Sequence, residues 1–114
     1  MHDMAYEKEI SKNYYLISVN DKRNISISRK LGSGDFIGRV THVTEYAIDD
    51  DDSLLFVKTN DSLNKNNNNY YVLNMAKDYD YANIKDVVIG PLDSLGFTNN
   101  WMRKYKVKFV SISD

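Results

Sequence analysis

Six carboxylates and two tyrosines carry most of the chemistry that residue type and spacing suggest. Asp49, Asp50, Asp51 and Asp52 stand in a row, and Asp78, Tyr79, Asp80 and Tyr81 alternate further along the chain. Four adjacent carboxylates repel one another, a cost that a basic partner would neutralise. A calcium loop needs acidic ligands at alternate positions, a central glycine and a glutamate at the twelfth. Counted from Asp50, the fifth place is Leu54, the twelfth is Asp61, and no glycine lies between. The run therefore reads as a solvated hairpin tip or as a contact for a basic protein. An acidic, tyrosine-bearing loop makes a stiff, polar contact surface. Tyrosines that stack on single-stranded bases have lysine or arginine beside them. Here the neighbours are aspartates, so protein contact is favoured over nucleic acid. The plainer alternative is that Tyr79 and Tyr81 cap the edge of the core.

No catalytic constellation accompanies these residues. His2 lies in the N-terminal stretch, and His42 falls in an extended segment with Tyr46 on the same side. Neither belongs to a His–x–His or Glu–x–x–His pattern, so neither a metal site nor a nucleophilic triad is supported. The glutamates are Glu7, Glu9 and Glu45 alone, which offers little to a paired-carboxylate mechanism. Gly32-Ser33-Gly34 lacks the third glycine and following helix of a dinucleotide loop, and reads as a hairpin turn. With no cysteine, disulfides, zinc ribbons and thiol chemistry are excluded. Arg103, Lys104, Lys106 and Lys108 cluster near the C-terminus. Lysines there would guard an edge strand against unwanted pairing. The expectation is a protein that is no enzyme and has no cofactor.

The elements that must position these residues are short and β-like. Runs at 14–19, 25–30, 36–48, 53–59, 70–75 and 106–112 are rich in β-branched and aromatic types, and turn residues separate them. Ile25 and Ile27 alternate with Ser26 and Ser28, the pattern of a half-buried strand. Along 36–48 the same alternation places Val40, His42, Thr44, Tyr46 and Ile48 on one face. Asn20 and Asp21 mark a turn, and 60–69 is a polar loop. The stretch 76–86 reads as loop or a single helical turn, and the apolar run 87–89 stops at Gly90-Pro91. Thr98 suits a helix N-cap, with Trp101 and Tyr105 one turn apart on the following helix.

The chain has 114 residues, sufficient for one domain with one core, and a net charge of -1. A duplex-DNA binder carries a strong basic excess, which is missing here. No apolar run reaches the ~18 residues of a membrane span. These features predict an all-β domain over 14–114 behind a flexible lead-in at 1–13. Its expected form is an antiparallel sandwich or half-barrel of six to eight strands with one short helix near the C-terminus.

Tyr14-Tyr15-Leu16, Asn20, Ile25-Ser26-Ile27, the segment 43–48 before the aspartates, Tyr70-Tyr71-Val72-Leu73, Ile89-Gly90-Pro91-Leu92 and Phe97 occur in an order that resembles a group of small bacterial β-proteins. Members of that group are often lipoproteins or secreted. The resemblance spans about 14–105, implies no active site, and lacks the lipobox cysteine. In general character, rich in Tyr, Asp and Asn and free of cysteine, the chain is similar to bacterial immunity proteins. That likeness implies a cytoplasmic inhibitor of a cognate basic toxin, a nuclease being one example. Asp49 to Asp52, Asp78, Tyr79, Asp80 and Tyr81 would then form the contact, in a monomer or weak dimer. The alternatives are an extracytoplasmic domain whose leader has been removed, and a ligand-binding β-barrel.

Overall fold

The computed structural model describes residues 4–19, 24–49, 51–60 and 68–112. His2, the turn at Asn20 and Asp21, and positions 61–67 of the polar loop lie outside the described residues. The chain forms two antiparallel sheets. Strands β1 (Met4–Ser11), β2 (Tyr14–Val19), β3 (Ser26–Lys30) and β4 (Phe36–Val40) make the first sheet, in the order β1-β2-β3-β4. Strands β5 (Val43–Ile48), β6 (Leu54–Thr59), β7 (Asn69–Asn74), β8 (Val88–Leu92) and β9 (Val110–Ser111) make the second, in the order β8-β7-β6-β5-β9. The all-β expectation holds, with nine strands among the described residues in place of six to eight.

Two apolar layers hold the molecule. Tyr14, Leu16, Ile27 and Val40 of the first sheet meet Val43, Leu55, Val57 and Leu73 of the second, all buried. The far side of the second sheet carries Ala47, Phe56 and Val72, and the C-terminal segment covers them with Phe97, Trp101, Tyr105, Val107 and Phe109. The middle strand β6 is therefore buried on both faces. That is why Leu54-Leu55-Phe56-Val57 reads as a continuous apolar run rather than an alternating one. No helix among the described residues is long and apolar enough to cross a membrane.

Four expectations are corrected. The N-terminal stretch taken as lead-in forms β1 from Met4 onward, paired with β2. The segment 36–48 is two strands in different sheets. The chain leaves the first sheet after Val40, turns at His42 with φ of 57°, and enters the second at Val43. His42 thus lies in a link between sheets, and its ring nitrogen Nδ1 lies 3.2 Å from the Thr41 hydroxyl. The run at 87–89 continues through Gly90-Pro91 as β8. Gly90 has φ of 140°, and a Cβ there would stand 2.6 Å from Tyr71 Cδ2 and 2.8 Å from the Tyr70 carbonyl, so only glycine fits. The C-terminal helix starts five residues earlier than expected. It is capped by Asp93, whose carboxylate accepts from Gly96 N–H at 2.7 Å, and runs as α2 (Ser94–Phe97, with α1 at Ile84–Val87) into a π-turn over Thr98–Met102. Trp101 and Tyr105 do share a side, stacked with ring centroids 5.9 Å apart.

Candidate functional site

The turn between β1 and β2, the aspartate turn between β5 and β6, and the 3-10 turn Met75–Lys77 border one cleft of about 540 Å³. Its floor holds Tyr14, Arg29 and Asp78. The segment that follows Lys77 runs past this cleft as a strap, and its aspartates and tyrosines face opposite ways.

Asp78 points inward. Its carboxylate has no exposed side-chain surface, and the paired Arg39 side chain is 2% exposed. Arg39 donates from Nε to Oδ2 at 3.0 Å and from Nη2 to Oδ1 at 2.8 Å, a two-point clamp. The Tyr14 hydroxyl donates to the same Oδ2 at 2.7 Å, and Arg29 Nη1 donates to the Tyr14 oxygen at 3.1 Å. Arg39 reaches this position through a β-bulge. Ile27 pairs with Val40 while Ser28 pairs with Gly38, so Arg39 is the extra residue and its side chain turns into the core beside that of Val40.

Asp80 is the second anchor. It accepts from Gly32 N–H at 2.9 Å, in the turn between β3 and β4, and from Arg29 Nε at 3.2 Å. The Gly32 amide first, and the Arg29 guanidinium with it, hold the Asp80 carboxyl below the usual carboxylate range. Two arginines and two aspartates thus tie the strap to the first sheet with no net charge. Tyr79 and Tyr81, between and beyond the anchors, are 61% and 80% exposed.

The other expected contact residues separate into two kinds. Asp49 serves its own turn, accepting from Ser53 N–H at 2.9 Å, Leu54 N–H at 3.0 Å and the Ser53 hydroxyl at 3.2 Å. Asp51 and Asp52 are exposed on the cleft rim. Asp50 lies outside the described residues. The structure therefore brings Asp51, Asp52 and the strap to one end of the sandwich, and it commits Asp49 and Asp78 to internal bonds. Arg29 and Arg39 were missed in the sequence, although Arg39 is a lone cation in a strand of otherwise apolar and small residues; Arg29 adjoins Lys30 and carries no such signal. No group of three or more histidine or acidic residues among the described residues could hold a metal ion. Comparison with protein-family models, with curated proteins and with solved structures finds no match for the chain.

The floor of the cleft gives a pH test. Burial first, then the hydrogen bond to Asp78 and its negative charge, push the Tyr14 phenol well above its ordinary value. In the unfolded chain that phenol ionises near ~10. The folded form keeps its proton at higher pH, so the unfolded state binds fewer protons above this point. Stability should be unaffected by this group below about pH 10 and fall beyond it by about 1.4 kcal/mol per pH unit. Urea midpoints measured either side of that pH check this. The Tyr14→Phe variant should lose that share of the alkaline slope, and equal slopes in both proteins would refute the assignment.

Proposed function

We propose that the chain is a non-enzymatic binding protein that docks a partner protein with the end of the sandwich carrying Tyr79 and Tyr81. One observation supports this above the others. The strap is fastened at alternate residues by Asp78 and Asp80, and it holds Tyr79, between the fastenings, and Tyr81, directly after the second, out into solvent. A side chain presented on a segment already ordered loses little further freedom on binding. Tyrosine suits that role, since it offers a large amphipathic surface with few rotatable bonds. The particular form we assign is an immunity-type inhibitor that covers the basic active site of a cognate toxin, as a nuclease's is. Asp51 and Asp52 on the neighbouring turn supply the acidic rim for such a partner.

The experiment is surface plasmon resonance against the product of the adjacent gene, at low and high salt. Tyr79→Ala and Tyr81→Ala should mainly speed dissociation, the more central of the two by about 30-fold or more, the effect of losing ~2 kcal/mol at a hot spot. Asp51→Asn with Asp52→Asn should slow association and flatten its salt dependence. Asp49 is left intact because its carboxylate builds the turn. Unchanged kinetics in every variant would place the contact elsewhere, and no binding by the unmodified chain would reject that partner.

A further inference from the structure

The cleft at the end of the sandwich is of ligand size and opens onto a cation with an unused donor. Small-molecule sites run from about 300 to 1,000 Å³, and this one measures about 540 Å³. On its floor the Arg29 side chain is 13% exposed. Nε donates to Asp80 and Nη1 to the Tyr14 oxygen, and the guanidinium carbon lies 5.6 Å from the Tyr14 ring centroid. These contacts hold the group in place. Nη2 donates to nothing among the described residues. None of their buried side-chain nitrogens or oxygens lacks a partner, so Nη2 is not sealed inside. It meets open space, and the cleft is the space that Arg29 borders. An ordered guanidinium with a free edge is a receptor for a carboxylate, which it binds about twice as strongly as a neutral acceptor.

The mouth carries the opposite sign. Asp51 and Asp52 are exposed there, and Lys12 of the β1–β2 turn offsets one of their two charges. On the floor, Arg29 and Arg39 cancel Asp80 and Asp78. A simple anion would be repelled at the mouth, and a simple cation would meet Arg29 at the floor. A ligand with both charges meets its complement at each end. Size sets the spacing. A cleft of this volume is about 8 Å across, and extended chain covers about 3.5 Å per residue, so two residues fit. Met75 and Ala76 of the 3-10 turn supply an apolar wall, and an unbranched methionine adapts to side chains of varied shape.

We propose that the cleft binds a short peptide zwitterion, a dipeptide in size, with its carboxylate on Arg29 Nη2 and its ammonium at Asp51 and Asp52. The site is separate from the strap tyrosines and does not require the partner protein proposed above.

Isothermal titration calorimetry of the full chain with the dipeptide alanyl-leucine tests this. Binding should be saturable. The carboxyl-amidated and the N-acetylated forms of the dipeptide should each bind about tenfold more weakly, the loss expected for one charged hydrogen bond. Asp51→Asn with Asp52→Asn should weaken alanyl-leucine without weakening the N-acetylated form, a coupling that only contact between the ammonium and these carboxylates produces. Both positions are exposed on a turn, so the variant should keep its thermal midpoint. By NMR, the Arg29 Nε–H resonance should move as alanyl-leucine saturates the site. No saturable heat at about 10 mM dipeptide, blocked forms that bind as well as the free one, loss of the N-acetylated form's binding in the folded double variant, or an Arg29 resonance that stays in place would each overturn the proposal.

Discussion

Replacing Asp78 with alanine is expected to cost about 3–5 kcal/mol, because it strands the buried Arg39 guanidinium without its counter-charge. Domains of this size are stable by only about 5–15 kcal/mol. The variant should therefore unfold at a much lower urea concentration, and it should lose the strap before the sheets. Arg39→Met removes the other half of the pair and should cost a comparable amount. The double variant, Arg39→Met with Asp78→Ala, should cost clearly less than the sum, since neither charge is then left alone. A loss below about 1 kcal/mol in Asp78→Ala would mean that water reaches Arg39 and that the clamp is not what orders the strap. The result matters for the proposed function, because the same variant should weaken partner binding through disorder of Tyr79 and Tyr81 while changing neither tyrosine.

Phe97→Ala should be as costly, about 3–5 kcal/mol for a large ring removed from a closed site. Phe97 is fully buried, stacks on Tyr70 at 4.7 Å, and meets the rings of Phe56 and Phe109 at 6.0 and 5.8 Å. It is the side chain by which the C-terminal segment grips the second sheet. The single tryptophan, Trp101, sits in the same layer against Phe56 and Tyr105, so its fluorescence reports on this contact directly. Its emission should move to the red, and amide exchange over 93–112 should quicken more than over 26–40. Unchanged emission in a variant of normal stability would show that the segment is held by other means.

Much of the fold was legible because burial leaves a period in the sequence. Strands β2, β3, β6 and β7 announce themselves through alternation or through continuous apolar runs. The acidic turn and the i, i+4 pair Trp101 and Tyr105 were equally readable. Strand β1 was not, since Glu7, Lys8 and Glu9 give an outer strand no apolar period. The break at His42 was hidden because a left-handed backbone at a histidine has no signature in composition. Asp93 and Thr98 are both acceptable caps, and packing of Phe97 on Tyr70 selects the first. Within the candidate site, Tyr79 and Tyr81 stand out in solvent and do not cap the edge of the core. Asp78 could not be told apart from Asp80 or Asp51 by type. Only the bulge that swings Arg39 inward makes it a buried anchor, and a bulge is a property of pairing between strands rather than of one strand.

Among the described residues, the passage through Thr41 and His42 is the one place where the chain crosses from a strand of one sheet to a strand of the other. The described strands before it, β1 to β4, make one sheet and the strands after it, β5 to β9, make the other. A cut at this point would yield two fragments, each owning a whole sheet with one naked apolar face. Neither could bury that face unaided. Mixed together they would reassemble without a covalent tie, weakened chiefly by the loss of the high local concentration that the tie provides. The same geometry makes residues 41–42 a hinge, across which an N-terminal sheet can be traded between neighbouring molecules with every internal contact kept.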